Sequence, residues 1–211
     1  KHSLANGHGF DPVRRCGLLW AAVALGAATL PACGRRPKAQ ATPVPAGAPV
    51  LALGDSLTFG TGAPPDASYP AQLAGLTPWR IVNAGVPGHT AAQALERLPA
   101  LLQQHAPQLV IVSIGGNDFL RRMDETATRT HIRRIVQLSR EAGAQVLLVA
   151  VPRLNLIAAA TGALSDHPLY AEIATEMGVA LHAEGWSSVL GDERLRSDAI
   201  HANAQGYAQF A

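Results

Sequence analysis

Val50-Leu51-Ala52-Leu53-Gly54-Asp55-Ser56-Leu57 is an apolar run that stops at a small-residue turn and hands the chain over to a serine. An uninterrupted apolar tetrapeptide, as opposed to one alternating with polar residues, marks a strand buried on both faces, which is the pattern of a parallel sheet. Comparable runs occur at 79–83, 109–114 and 146–151, with a weaker one at 179–183. Between them lie stretches of helical character: 70–76, where Pro70 suits a first helical turn; 90–105, interrupted at Pro99; 126–142, with Ile132, Ile135 and Val136 on one face; and 168–177. A last helix is expected to start near Asn203, with Tyr207 and Phe210 on its inner side. This alternation predicts an α/β fold, a three-layer α/β/α sandwich around a five-stranded parallel sheet. Such sheets bind ligands beyond the carboxyl ends of their strands, where Ser56 is expected to lie.

The chain has 211 residues, 48% hydrophobic and 15% charged, which gives room for one domain with a well-buried core plus a leading segment. A formal net charge of +2, with no run of arginines, gives no reason to expect a nucleic-acid partner. Arg14-Arg15 precede an apolar stretch at 16–30. That is short of the roughly 20 residues a membrane span needs, but long enough for the core of an export signal. Leu30-Pro31-Ala32-Cys33 follows and resembles the bacterial lipobox, in which the cysteine is lipidated and becomes the new N-terminus. Residues 34–48, rich in proline and alanine, read as a semi-extended tether. The expected organisation is an export segment at 1–33, a tether at 34–48 and a folded domain at 49–211. The corresponding location is the periplasm of a Gram-negative bacterium, with the protein anchored to a membrane through Cys33. Cys16 and Cys33 are the only cysteines, so the domain is expected to hold together by packing without a disulfide.

A serine hydroxyl is a poor nucleophile at neutral pH and needs a base within hydrogen-bond reach, itself oriented by a third group. Asp198-Ala199-Ile200-His201, just before the last expected helix, offers both an acid and a base. Two further blocks follow expected strands, Asn83-Ala84-Gly85-Val86-Pro87-Gly88 and Gly115-Gly116-Asn117-Asp118. Taken singly, each has a structural reading: Ser56 as a helix cap, Gly85 and Gly88 as turn glycines, Asn117-Asp118 as the start of a helix. The other histidines of the expected domain, His89, His105, His131, His167 and His182, lack a comparable setting and read as surface or cap residues. No metal is expected, for there is no His-Glu-x-x-His and no paired-cysteine motif. Without a Gly-x-x-x-x-Gly-Lys loop no nucleotide cofactor is expected either, and Ser56 does not sit in a Gly-x-Ser-x-Gly elbow.

Taken together and in this order, the four blocks resemble the SGNH, or GDSL, hydrolases, and within them the small periplasmic acyl-thioesterase, lysophospholipase and arylesterase group. Ser68-Tyr69-Pro70 and Arg97-Leu98-Pro99-Ala100-Leu101-Leu102 add to the likeness. The resemblance implies a flavodoxin-like fold and hydrolysis of small-molecule carboxylic esters or thioesters through an acyl-enzyme, without a cofactor. It implies Ser56, His201 and Asp198 as nucleophile, base and orienting acid, and an oxyanion hole made by the backbone N–H groups of Ser56 and Gly85 and the side-chain amide of Asn117. The family often has proline directly after the catalytic histidine, where this chain has Ala202. The same residues would serve a carbohydrate O-deacetylase. Different classes of reading are a non-catalytic flavodoxin-like binding module that holds a phosphate on the Ser56 loop, and a non-catalytic envelope lipoprotein that serves as a scaffold.

Overall fold

The computed structural model describes residues 42–153 and 164–211, so the expected export segment and the start of the tether lie outside the described residues. Five strands form one parallel sheet: β1 (Pro49–Gly54), β2 (Arg80–Gly85), β3 (Leu109–Ser113), β4 (Gln145–Val149) and β5 (Ala180–His182), in the order β2-β1-β3-β4-β5. All residues of β3, and all but the first of β1, are buried, as their unbroken apolar sequence requires. Each fully buried Val, Leu or Ile contributes about 1.5–3 kcal/mol of transfer free energy.

Eight helices among the described residues cover the sheet: α1 (Ser56–Phe59), α2 (Tyr69–Leu76), α3 (Ala91–His105), α4 (Gly116–Leu120), α5 (Glu125–Glu141), α6 (Leu169–Met177), α7 (Gly185–Gly191) and α8 (Ala204–Phe210). Helices α3, α5 and α6 lie side by side in one layer and α2, α8 and α7 in the other, giving the three-layer sandwich that the sequence predicts. Trp186 of α7 organises the second layer: it stacks on Phe210 with centroids 3.7 Å apart, and its indole N–H donates to Ser113 Oγ at 3.0 Å. Pro99 does not interrupt α3 as expected. It stands on the exposed side of that helix, which runs on through it to His105 although the Leu95 carbonyl loses its donor.

The tether also ends earlier than expected. Residues 42–48 already lie on the domain: Thr42 N–H donates to Gln145 Oε1 and Gln145 Nε2 to Thr42 O, both at 2.9 Å, while Trp79 Nε1 donates to Val44 O at 3.2 Å. Gln145 opens β4 and Trp79 precedes β2, so this strap crosses the amino ends of the strands.

The chain runs from β1 outward to β2 and then crosses to β3 on the other side of β1, so the loops that follow these three strands emerge together. Register makes them level: Gly54 pairs with Gly85 on one side and Ser113 on the other. A reversal of strand order of this kind opens a crevice at the carboxyl ends of the sheet.

Candidate active site

Asp55 turns the chain out of β1. Its side chain accepts from Leu57 N–H at 3.0 Å and so caps α1, leaving Ser56 as the first residue of that one-turn helix. His201 arrives from the other end of the sequence on the loop between Leu195 and α8. Three contacts shape that loop: a bridge between Arg196 and Ala202, a Ser197 N–H to His201 O bond of 3.0 Å, and Asn203, which caps α8 through a 3.0 Å bond from Gly206 N–H. Ala202 is fully buried at the position where proline is common, and the bridge holds the loop closed without it. Tyr207 ties α8 to the far side of the cleft by donating to Thr61 O at 2.7 Å.

These elements put Ser56 Oγ 3.0 Å from His201 Nε2, across 145 residues of sequence. His201 Nδ1 is 2.7 Å from Asp198 Oδ2, while Asp198 Oδ1 accepts the N–H groups of Ile200 and His201, both at 2.8 Å. Burial pushes the Asp198 carboxyl up, but the bonds from His201 and from these backbone groups outweigh it and hold the carboxyl below its ordinary range. An ionised carboxylate fixed in this way orients the ring with Nε2 free to accept the serine proton.

Asn117, the second residue of α4, extends towards the same space. Its amide nitrogen donates to His89 O at 3.0 Å and, over a long 3.4 Å, to Asp55 Oδ2. Asp118 does not enter the cleft. It is buried, accepting Ala91 N–H at 2.9 Å and the Thr128 hydroxyl at 3.3 Å, and so ties the start of α3 to α4 and α5. Asp55 orders its own loop, as its place in the sequence suggests, but it is also 2% exposed, and burial pushes its carboxyl up to about 6 despite the opposing Leu57 N–H and His201. His167 acts as a cap, accepting Leu169 N–H at 3.3 Å.

Gly85 departs from the expected arrangement. Its N–H donates to Asn83 Oδ1 at 2.9 Å and is not free for a substrate oxygen. What demands glycine there is packing, since a Cβ would run into the backbone of Thr58 and Phe59 in α1. Gly88, unlike Gly85, lines the cleft, as does Gly116. Val86-Pro87-Gly88-His89 forms a tight turn closed by a 3.1 Å bond from His89 N–H to Val86 O, with Gly88 at φ +79°. Pro-Gly in the middle of a turn is the sequence signal for this geometry. Among the described residues, neither the Gly88 N–H nor the Ser56 N–H has an acceptor.

Other residues were not legible as site residues. Arg97 of α3 donates to Gly54 O at 2.8 Å and braces the carbonyl just before Asp55. Tyr170 of α6 donates to Ile114 O at 2.7 Å and supports the turn leading to Asn117. Neither stands in a motif that announces its partner, because both partners are backbone carbonyls distant in sequence.

The cleft encloses about 270 Å³ and brings together Ser56, His201, Asn117 and Gly88 with an apolar wall of Leu57, Leu120, Val151, Pro152, Leu190 and Ile200. Thr61, Gly88 and Pro152 line it from the loops after α1, β2 and β4, and residues 154–163 of the last loop lie outside the described residues. A larger hollow of about 840 Å³ beside Asp166, Glu184 and Arg194 contains none of the candidate residues.

Residues 52–209 match the GDSL-like Lipase/Acylhydrolase family. The chain belongs to that family. Among curated GDSL-like relatives, it is 36% identical over 159 residues to thioesterase 1/protease 1/lysophospholipase L1 of Escherichia coli K12, covering 73% of this chain and 75% of the relative. It is 32% identical over 107 residues to an arylesterase of Vibrio mimicus, covering 48% and 54% of the two chains. Among solved structures of the family, the crystal structure of TesA superposes with a TM-score of 0.68 at 28% identity, covering 77% of this chain and 93% of that one.

Proposed function

We propose that the protein is a serine hydrolase that cleaves small-molecule carboxylic esters or thioesters through an acyl-enzyme, with Ser56 as nucleophile, His201 as general base and acid, and Asp198 as the group that orients His201. The observation that carries this reading is the 3.0 Å contact between Ser56 Oγ and His201 Nε2, continued by the 2.7 Å contact from Nδ1 to Asp198. Ser56 Oγ attacks the acyl carbon as its proton passes to His201 Nε2. The tetrahedral intermediate collapses with return of that proton to the leaving alcohol or thiol. Water, deprotonated by the same nitrogen, then releases the acid. A positioned base of this kind typically contributes about 10²- to 10⁴-fold.

The oxyanion donors are the Ser56 N–H, the Gly88 N–H and Asn117 Nδ2. Gly88 takes the role that the resemblance gave to Gly85, because its N–H is uncommitted and it lines the cleft. Asn117 can turn one hydrogen to the substrate by giving up its long bond to Asp55. The wall of Leu, Ile, Val and Pro favours an acyl chain over a sugar. The relatives named as thioesterase, lysophospholipase and arylesterase support the range of substrates.

A fluorophosphonate probe should label Ser56, and Ser56→Ala should abolish both labelling and turnover of aryl esters. Undiminished turnover by the folded variant would refute the assignment. We also propose that residues 1–33 export the protein and that Cys33 carries a lipid anchor in the periplasm; metabolic labelling with a palmitate analogue, lost in Cys33→Ser, tests this.

A further inference from the structure

Asn117 and Arg121 are four residues apart at the end of α4, a spacing that puts both side chains on one face of a helix. They reach successive carbonyls of the same turn. Asn117 Nδ2 donates to His89 O at 3.0 Å and Arg121 Nη2 to Gly88 O at 2.9 Å. Arg121 is nevertheless exposed, and Leu120 beside it lines the cleft. A guanidinium carries five N–H donors in a rigid fork, and one of them is committed here.

The backbone beneath Arg121 is fixed. Arg121, Arg122 and Met123 donate their N–H groups to Asn117 O, Phe119 O and Asp118 O at 3.1, 3.0 and 2.9 Å, with Arg122 in the left-handed region at φ +52°. Among the described residues, no carboxylate compensates the charge. Arg133 and Arg134 pair with Glu176 and Glu141, whereas among the described residues neither Arg121 nor Arg122 has a carboxylate partner. Among the described residues that line the cleft, Asp55 alone has a carboxyl group, and it is buried and bonded to Leu57 and Asn117. Gly88 N and O belong to one residue, so the guanidinium stands on the order of 6 Å from the proposed oxyanion donor. Arg121 itself stands outside the cleft lining, and from that distance its guanidinium is within reach of substrate groups that project past Gly88 and Leu120.

We propose that Arg121 is a specificity residue that binds an anionic group, a carboxylate, sulfonate or phosphate, carried by the ester or thioester substrate. The inference rests on the hydrolytic reading above and adds to it one residue, Arg121, as the group that favours charged over neutral esters. The bond from Arg121 to Gly88 O fixes the guanidinium in advance, which lowers the ordering cost of binding such a group.

The experiment compares wild type, Arg121→Gln and Arg121→Lys on two matched pairs at low ionic strength. One pair carries the charge on the acyl side, 4-nitrophenyl pentanoate against mono-4-nitrophenyl glutarate. The other carries it on the leaving group, phenyl acetate against 4-acetoxybenzenesulfonate. In at least one pair, Arg121→Gln should lower kcat/KM for the anionic ester relative to the neutral one by about five- to tenfold, chiefly through KM, with Arg121→Lys retaining most of the ratio. Raising the salt to 0.5 M should shrink the wild-type ratio in the same pair. The neutral esters report on hydrolysis by itself, so a failure there is seen separately. If the ratio stays within twofold in both pairs, including the case where both esters of a pair lose turnover together because Gly88 has shifted, the proposal is overturned.

Discussion

Replacing Asp55 by asparagine should make the domain more stable at pH 8 and slightly less stable at pH 4. The Asp55 carboxyl is 2% exposed and is displaced from 3.8 to about 6, with burial as the largest cause. At ~1.4 kcal/mol per pH unit, this displacement is worth about 3 kcal/mol. The folded protein holds this proton more tightly than the unfolded chain, so the contribution to stability is fully present below about pH 4 and lost as the pH rises through about 6. At pH 8 the ionised group therefore weighs against the fold.

Asparagine cannot ionise and keeps an oxygen for Leu57 N–H, but its amide faces that of Asn117. It gives up the 3.4 Å contact, worth about 1 kcal/mol at any pH. The net expectation is a gain of about 2 kcal/mol at pH 8 and a loss of about 1 kcal/mol at pH 4. Urea unfolding of both proteins at pH 4, 6 and 8, read where the m-values agree, measures the difference. A difference that does not change with pH would mean that burial is not what sets the Asp55 proton affinity.

Asn117→Ala should keep the thermal midpoint within a few degrees and reduce kcat by about 10²- to 10³-fold, as checked by single-turnover kinetics on an aryl ester. Gly85→Ala and Gly88→Ala should separate packing from chemistry. The first forces a Cβ against the α1 backbone and should cost about 3 kcal/mol or more, seen as poor soluble expression or a lowered midpoint in calorimetry. The second meets only Arg121 Nη2, at 3.6 Å, and should cost about 1–2 kcal/mol for its φ of +79° while losing most turnover. Tyr170→Phe leaves Ile114 O buried without its donor and should destabilise by about 1–3 kcal/mol in denaturant titration.

The sheet was legible because burial on both faces forces uninterrupted apolar sequence, and β1 and β3 are the strands that obey this most fully. The weak run at 179–183 is also the shortest strand, three residues at the edge. Helices α1 and α4 were signalled only by single residues, Ser56 as a cap and Asn117-Asp118 as a helix start, because one turn is too short to express a 3.6-residue period. Helix α7 escaped the reading because it starts after Glu184 at φ +61°, a conformation that no residue type there announces, and exists to deliver Trp186 to the core. The serine, histidine and aspartate were legible from their motifs, whereas the choice between Gly85 and Gly88 was not. Order within a motif does not say which N–H is already bonded; that depends on Asn83, whose side chain folds back onto the strand end. The strap at 42–48 was misread because proline and alanine describe a chain without regular structure, not one without contacts.

The strap has a practical corollary. It lies across the amino ends of strands about 20 Å long, while the cleft opens beyond their carboxyl ends, so Thr42 and the cleft stand on opposite sides of the domain. Coupled to a bead or a sensor surface through that side, the protein should present its working face outward and keep its turnover, without any spacer engineered to turn it round.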